Sequence, residues 1–328
     1  MEIIKRAGAK LSSGSSSITS SSSALILRLT ALAFMMFVFS GGHANAQEKD
    51  APFVPTPPDV VDKMLDMANV GPGDYVIDLG CGDGRIVIAA ARRGATGLGV
   101  DLDAELIQKA RENAREAGVS ERVMFLKQDL FETDISGASV ITMYLFPDLI
   151  NELRPKLTDQ LEPGARIVSH DFDMDDWEPD QRAEVNSGNF YSDTLVVVPS
   201  LDVDNYSRLQ KKLNQNQPLS FLPHDVYYWE VPADARGQWK WQTNGKAFNM
   251  TMDQNFQQIH AEIHAGNTAL TIKSEKLMGE RINIRAVNPE TQTRYLFNGR
   301  IDGDTIKGKI QIRSDDGKRV ENWRAERK

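Results

Sequence analysis

A glycine-rich loop that directly follows a short apolar run is the feature that most restricts how this chain can fold. Tyr75–Leu79 has the composition of a buried strand, and it runs without a break into Gly80-Cys81-Gly82-Asp83-Gly84. Arg85–Arg92, rich in alanine and isoleucine, then predicts a helix. A strand, a glycine turn and a helix in this order are typical of an α/β unit built on a parallel sheet.

The same alternation of apolar runs and helical periods continues from residue 74 to residue 200. Further strands are predicted at Gly97–Val100, Val123–Leu126, Ser139–Met143 and Ile167–Ser169, and helices at Ala104–Ala117 and Pro147–Leu161. The sequence therefore predicts an α/β fold with a Rossmann-like, doubly wound sheet.

Acidic residues lie at the ends of the predicted strands, where a doubly wound sheet binds its ligand. Asp78 lies two residues before the first glycine of the loop, Asp101 ends the second strand, and Asp129 follows the third. The third glycine comes two residues after the second, not three as in the dinucleotide fingerprint G-x-G-x-x-G. Asp78 would also repel a pyrophosphate, whereas it suits a ligand amino group. A nicotinamide-dependent oxidoreductase is therefore disfavoured.

These residues resemble the motifs of the class I S-adenosylmethionine-dependent methyltransferases. The matching segments are Asp78 to Gly84, then Asp101, and then Gln128-Asp129-Leu130. The resemblance implies that S-adenosylmethionine is the cofactor, that Asp78 and the loop hold its methionine part, and that Asp101 accepts hydrogen bonds from the ribose hydroxyls. It also implies that Asp129 meets the adenine amino group. The loop residues assigned to the cofactor in this way are Gly80, Gly82 and Gly84.

A narrower resemblance covers roughly residues 52 to 180. Phe53-Val54-Pro55-Thr56-Pro57, Asp78 to Ile88 and Ser169-His170-Asp171-Phe172 look like the small lysine methyltransferases related to the ATP-synthase c-subunit and Dot1-type enzymes. This likeness implies a lysine acceptor. Thr56 can either cap a helix that begins with Pro57 and Pro58 or form part of a lid over the cofactor.

Candidate catalytic residues follow the fourth and fifth predicted strands. The fourth strand ends in Met143-Tyr144-Leu145-Phe146-Pro147, without the Asn-Pro-Pro-aromatic motif, which argues against a DNA-base or glutamine methyltransferase. Tyr144 and Phe146 can form an apolar wall that tolerates a cation. His170 and Asp171, at the end of the fifth strand, are site candidates because a methylated amine must lose a proton.

Asp171 to Glu178 is the densest acidic run of the chain. Its opening resembles a calcium loop, but it lacks the glycine at the sixth position and has Arg182 where a bidentate glutamate is required, so calcium is excluded. Two interpretations remain, an acidic mouth that attracts a cationic substrate and a solvated loop. With one cysteine and five histidines in the chain, no metal site is expected.

The charge of the chain changes sharply near Pro232. Residues 47–232 carry 17 basic and 33 acidic side chains, a net charge of −16, whereas residues 233–328 carry 17 and 12, a net charge of +5. This step predicts a domain boundary between 47–232 and 233–328. A domain with a net charge of −16 repels polyphosphates, and the net charge of +5 on residues 233–328 is too small and dispersed to reverse this. The expected partner is therefore a protein or a small cationic amine and not a nucleic acid.

The second domain has the rhythm of a small antiparallel all-β barrel or sandwich. From Trp239 onward, β-type runs alternate with turn signals, and about eight strands fit. His260 and His264 are predicted on one strand face with Glu262, where a metal pair is less favoured than satisfied histidines. The aromatic residues expected in the core are Trp239, Trp241, Phe248, Phe256, Phe297 and Trp323.

The first 46 residues are predicted to be a secretion signal. A basic start, the apolar run Leu29–Phe39 and Ala44-Asn45-Ala46 predict export to a bacterial periplasm with cleavage after Ala46, or an uncleaved anchor that would give the only membrane contact. The cofactor is made in the cytoplasm, so an exported methyltransferase would be separated from its supply. The alternative function is therefore an exported ligand-binding protein without turnover.

Residues 186–223 are interpreted as an insertion before a last sheet strand at Val226–Val231.

Overall fold

The structure is a computed structural model that describes residues 53–187, 223–243, 245–315 and 317–328. Two β-sheets lie within one compact unit. The predicted secretion signal and nearly all of the predicted insertion lie outside the described residues. Among the described helices, none is long and apolar enough to cross a membrane.

The first sheet has seven strands in the order β3-β2-β1-β4-β5-β7-β6. Strands β1 to β5 are parallel, while β7 runs antiparallel to both β5 and β6. The strands are β1 (Tyr75–Leu79), β2 (Thr96–Asp101), β3 (Val123–Lys127), β4 (Val140–Met143), β5 (Arg166–His170), β6 (Gln181–Val185) and β7 (His224–Glu230). The predicted doubly wound sheet is confirmed, but the edge strand β6 was not predicted.

Four helices and one short 3₁₀ turn cover this sheet. They are α1 (Pro58–Met67), α2 (Arg85–Arg92), α3 (Ala104–Glu116), a 3₁₀ turn (Ser120–Arg122) and α4 (Pro147–Gln160). Apolar residues of α1 and α2 pack with Val76 and Val140 on one face, and those of α4 pack with Ile77 and Ile141 on the other. Successive residues of a buried strand point to opposite faces, so a continuous apolar run is what a sheet covered on both faces requires.

The second sheet is entirely antiparallel, with the order β11-β10-β9-β8-β16-β15-β14-β13-β12. It is nearly closed, because Glu275 of β12 accepts a hydrogen bond of 2.8 Å from the backbone N–H of Ala261 in β10. Its strands are β8 (Gly237–Thr243), β9 (Lys246–Asn255), β10 (Gln258–Ala265), β11 (Thr268–Ala269), β12 (Thr271–Met278), β13 (Arg281–Val287), β14 (Arg294–Asp302), β15 (Thr305–Ser314) and β16 (Gly317–Arg327). Nine strands replace the eight expected, and β11 is only two residues long.

Five of the six predicted core aromatics are buried inside the second sheet. These are Trp239, Trp241, Phe248, Phe297 and Trp323. The prediction for Phe256 is wrong, because this residue lies in the β9–β10 turn with φ of +50° and packs against the first sheet's core. Its ring stacks on Trp177 with centroids 5.0 Å apart and an angle of 6° between the planes. An ion pair of 2.7 Å between Glu230 and Arg281 also joins the two sheets.

Candidate active site

A cavity opens beyond the carboxyl ends of β1, β2 and β4, where the strand order reverses between β1 and β4. Its walls come from the segment before α1, the glycine loop, the residues after β2 and β3, and the start of α4. The predicted site residues on these walls are Thr56, Asp78, Gly80, Asp101, Asp129 and Tyr144. Residues spread over 89 positions of the sequence are thus brought together by the parallel strands.

The glycine loop lies across the end of β2. The backbone N–H groups of Gly80 and Cys81 donate to the Val100 carbonyl at 3.0 and 2.9 Å. The N–H of Gly82 donates to Oδ2 of Asp101 at 2.9 Å. Gly80 and Gly82 have φ of +79° and +52°, a conformation that side chains make costly. These bonds fix the loop against the acid that ends the neighbouring strand.

All three glycines of the loop are needed for close packing, and a Cβ at Gly80 would lie 2.8 Å from the side chain of Leu145. A Cβ at Gly82 would lie 2.2 Å from the ring of Phe53, which lines the cavity. A Cβ at Gly84 would lie 2.7 Å from Phe125 and 2.9 Å from Ala110. Gly84 is not on the cavity wall, so its small size serves the packing of α2 against α3 and β3.

Asp78 is a buried carboxyl group with a single side-chain partner. The Thr142 hydroxyl donates to its Oδ1 at 2.7 Å, and no described group donates to its other oxygen. Burial raises the pKa of Asp78 to about 7, and the nearby charges of Asp101 and Asp83 act in the same direction. A buried acid whose second oxygen is available at a cavity fits a ligand that carries an amino group.

The other two strand-end acids are oriented by backbone N–H groups. Oδ1 of Asp101 accepts from Asp103 N at 2.9 Å, and Oδ1 of Asp129 accepts from Phe131 N at 2.8 Å. A carboxylate has about four acceptor sites, so both acids keep capacity for hydroxyl or amino groups of a ligand.

Thr56 does not cap α1, so that interpretation is wrong. The helix begins at Pro58 after the N-cap residue Pro57, without a side-chain cap. The Thr56 hydroxyl instead lies 3.2 Å from Nδ1 of His170, and its carbonyl accepts a bond of 2.9 Å from Arg85. Arg85 also pairs with Asp83 of the glycine loop at 2.6 Å. These bonds tie the segment before α1 to the loop.

Behind Tyr144, three ionisable side chains converge. Nε2 of His170 lies 2.9 Å from Nδ1 of His224 and 3.3 Å from Oδ2 of Asp171. Oδ2 of Asp171 also lies 3.1 Å from Nδ1 of His224 and 3.4 Å from the Tyr144 hydroxyl. The other carboxylate oxygen accepts from Asp225 N at 3.0 Å. Asp171 itself has φ of +62°, a conformation that aspartate tolerates better than most residues.

The protonation states in this cluster follow from burial and pairing. Burial lowers the pKa of His170 to about 4, so the ring is neutral at pH 7. Burial would raise the pKa of Asp171, but the hydrogen bonds from His224 and from the backbone N–H of Asp225 hold this pKa below its usual value. The cluster therefore contains a neutral imidazole beside an ionised carboxylate.

Tyr144 connects this cluster with the cavity. It lines the cavity, its ring centroid lies 3.9 Å from that of His170, and its hydroxyl reaches Asp171. Phe172 lies 6.2 Å from Tyr144 and 6.3 Å from Phe146, so three aromatic rings gather at this end. His170 and Asp171 are not on the cavity wall and act on it only through Tyr144 and Thr56.

His224 is the member of the cluster that sequence reasoning missed. It is the first residue of β7, and β7 pairs with β5, which ends at His170. The available signal was composition, since the chain has only five histidines and this one precedes a predicted strand. Among the described residues, His170, Asp171 and His224 are also the group able to hold a metal ion.

The acidic run forms a tight turn outside the cavity wall. Met174 and Trp177 are buried, while Asp173 and Asp175 are exposed and Asp176 pairs with Arg154. In the second sheet, His260, Glu262 and His264 lie on the exposed face of β10, as expected.

Comparison with known proteins gives consistent matches for this part of the chain. Residues 78–181 match the family model of the ANTKMT methyltransferase domain. A protein-lysine N-methyltransferase of Saccharolobus islandicus is 44% identical over 140 residues, which are 42% of this chain and 87% of that protein. The chain belongs to the same methyltransferase family as the Saccharolobus islandicus protein. It is a class I methyltransferase, and its cofactor is S-adenosylmethionine.

Two further proteins are similar to part of this chain. The human ATP synthase c-subunit lysine N-methyltransferase is 35% identical over 129 residues, 39% of this chain, and the chain spans 55% of that protein's length. The solved structure of an RNA methyltransferase from Salinibacter ruber, in complex with S-adenosyl-L-homocysteine, is 43% identical in sequence. That match covers 54% of this chain and 93% of the other, with a TM-score of 0.41.

Proposed function

We propose that this methyltransferase transfers a methyl group to a nitrogen, foremost the side-chain amine of a protein lysine. The observation that carries the proposal is the position of Tyr144, which belongs both to the cofactor cavity and to the aromatic group with Phe146 and Phe172. Aromatic faces attract ammonium and methylammonium groups. The names of the relatives from Saccharolobus islandicus and human support lysine as the acceptor.

Within this proposal, the strand-end acids and the loop hold the cofactor. Asp78 takes the amino group of its methionine part, Asp101 the ribose hydroxyls and Asp129 the adenine amino group. Gly80 and Gly82 let the backbone approach, whereas Gly84 supports the loop by packing. Thr56 and Phe53 line the cavity, where they help to exclude water.

The cofactor supplies an activated methyl group on a sulfonium. The protein aligns the acceptor amine with it and removes a proton from the amine. The proton passes to the Tyr144 oxygen as the hydroxyl proton moves to Oδ2 of Asp171, which is one quarter exposed and can release it to water. His170, His224 and Thr56 act as positioning residues, because they hold Asp171 and the Tyr144 ring in place.

A transfer assay with methyl-labelled cofactor and a cell-envelope extract tests the acceptor class. We expect the label in protein, as methylated lysine after hydrolysis, and not in nucleic acid. Label that appears in DNA or RNA and not in protein or small amines overturns the proposal. Cofactor binding without any transfer would favour the alternative of a binding protein without turnover.

The role of Tyr144 is tested by Tyr144→Phe, with Tyr295→Phe in the second sheet as the matched control. Loss of general acid–base catalysis lowers kcat by about a hundredfold. The affinity for S-adenosyl-L-homocysteine should stay the same, because the ring remains in the cavity wall. An unchanged kcat would remove the proton route through Tyr144.

We also propose that the protein is exported to the periplasm, and the composition of residues 1–46 supports this proposal. Cell fractionation with an antibody against the second sheet tests it. A shortened protein that starts at Gln47 in the periplasmic fraction is expected, whereas full-length protein in the cytoplasm overturns the proposal. A full-length protein in the membrane fraction would identify the uncleaved anchor.

A further inference from the structure

The outer face of the second sheet contains a groove lined by cations. It runs over β12 to β16, and its charged lining residues are Lys273, Arg285, Arg294, Arg313 and Lys318. All five side chains are exposed, and no Asp or Glu among the described residues lines the groove. Part of the positive charge of residues 233–328, which the sequence suggested was dispersed, is therefore gathered on one face.

Strand register places three of these cations side by side. Arg294 of β14 is opposite Arg313 of β15, and Arg313 is opposite Lys318 of β16. Like charges directly opposite each other on neighbouring strands destabilise a sheet. Such a row costs stability unless an anion neutralises it.

The lining cations differ from other cations of the same sheet in having no acidic partner among the residues that the structure describes. Arg300 pairs with Glu280 at 2.5 Å, and Arg319 pairs with Glu321 at 3.0 Å. None of the five lining cations forms an ion pair with a described residue, because the salt bridges of this sheet involve other basic residues. Within residues 53–187, 223–243, 245–315 and 317–328, the groove is thus a cationic surface without acidic partners.

An exposed apolar side chain accompanies the cations. Val320 of β16 is 55% exposed, and it is one of only three exposed large apolar side chains in the described part of the chain. It pairs with Gln311 in the row that also contains Leu296 and Arg285. The face therefore combines basic groups with a projecting valine.

We propose that this face binds the anionic headgroups of a lipid bilayer and places the enzyme on a membrane surface. Basic side chains are attracted to anionic lipids, and Val320 suits the boundary between headgroups and acyl chains. A single-stranded nucleic acid is a poorer fit, because Tyr295, the aromatic residue of the groove, is buried and cannot stack on bases. Membrane binding by this face does not depend on which acceptor is methylated or on whether residues 1–46 are cleaved.

Vesicle sedimentation of the full chain tests this proposal. We compare phosphatidylcholine vesicles with and without phosphatidylglycerol, using Arg294→Glu with Arg313→Glu against a control with the same change in charge. The control is Lys240→Glu with Lys246→Glu, two exposed lysines on β8 and β9, outside the groove. Both variants keep the N-terminal segment, so its contribution cancels.

The wild type and the control should bind the phosphatidylglycerol vesicles, and this binding should weaken in high salt. Each lining charge removed lowers the partition coefficient about fivefold. Equal vesicle binding by both double variants overturns the proposal, as does binding to a duplex oligonucleotide with none to vesicles. Unchanged affinity for S-adenosyl-L-homocysteine would show that the groove variant is folded.

Discussion

The two sheets of this chain use their strand ends in different ways. In the first sheet, the residues after β1, β2 and β3 converge on a single cavity, and Gly82 is pressed against Phe53. In the second sheet, the turns point in both directions along the barrel, and Gly266 and Gly303 have open space where a Cβ would be. Parallel strands place all their carboxyl ends at one edge, whereas antiparallel strands alternate.

This difference predicts where a substitution changes function and where it changes only stability. Polar residues at the ends of the first sheet's strands should control cofactor binding. Polar residues of the same types in the second sheet should have no effect on cofactor binding. What the second sheet can contribute is its outer surface, because its interior is filled by aromatic and aliphatic side chains.

The largest expected contrast is between Asp101→Ala and Asp253→Ala. Asp101 anchors Gly82 and is proposed to bind the cofactor, whereas Asp253 lies on the exposed face of β9. Hydrogen bonds to a charged group contribute about 1.5–3 kcal/mol each, so Asp101→Ala should weaken cofactor binding by about a hundredfold. Calorimetric titration with S-adenosyl-L-homocysteine measures it. Equal affinities of the two variants would contradict the proposed role of the strand ends.

A second contrast concerns the pH dependence of stability. The pKa of Asp78 is raised by burial to about 7, so the folded protein without ligand binds a proton that the unfolded chain has lost above about pH 4. This contribution to stability is complete at low pH and is lost as pH rises toward 7. Between pH 5 and 8, the wild type should lose on the order of 2–3 kcal/mol more free energy of unfolding than Asp78→Asn.

Urea unfolding at the two pH values measures this difference. Asp253→Asn, which removes one exposed carboxylate from the second sheet, is the control and should follow the wild type. If Asp78→Asn has the same pH dependence as the wild type, the carboxyl group is not desolvated in the folded protein.

A third contrast compares Gly82→Ala with Gly303→Ala. Both glycines have positive φ, +52° and +55°, so each alanine should cost about 1–2 kcal/mol of stability. Only the Cβ at Gly82 meets another side chain, the ring of Phe53. We therefore expect cofactor affinity to fall about tenfold in Gly82→Ala and to stay constant in Gly303→Ala. A loss of affinity in both would indicate an effect of general destabilisation.

The smallest expected effect belongs to the acidic turn. Asp173 and Asp175 are exposed and lie outside the cavity wall. As an acidic mouth they would act only at long range, so replacing both by asparagine should raise KM for a cationic substrate about two- to threefold at low salt. The value of kcat should not change, and the difference should vanish at high salt. A constant KM at low salt would leave the turn with a structural role only.

Much of the first sheet could be predicted because its signals are local. The helix Arg85–Arg92 and the strand Tyr75–Leu79 match the structure residue by residue, and Asp78, Asp101 and Asp129 were placed at strand ends by their positions alone. Apolar runs of strand length and glycine at a left-handed position are properties of a few neighbouring residues.

Other features depend on which strands pair. The strand β7 enters the sheet between β5 and β6, and this arrangement brings His224 to His170 across 54 positions of sequence. Phe256 adopts a positive φ in a turn without glycine, and its ring stacks on Trp177 of the acidic turn between β5 and β6. The capping role suggested for Thr56 failed for the same reason, since a partner far along the chain, His170, binds its hydroxyl.

The sequence by itself determined most strands and helices of the first sheet, the glycine loop and the acids that line the cavity. Only the tertiary structure decided the cluster behind Tyr144 and the row formed by Arg294, Arg313 and Lys318. Both depend on strand register, which sets which residues face one another across neighbouring strands. Register is set by contacts between residues distant in sequence, and such contacts leave no signal in any short segment of the chain.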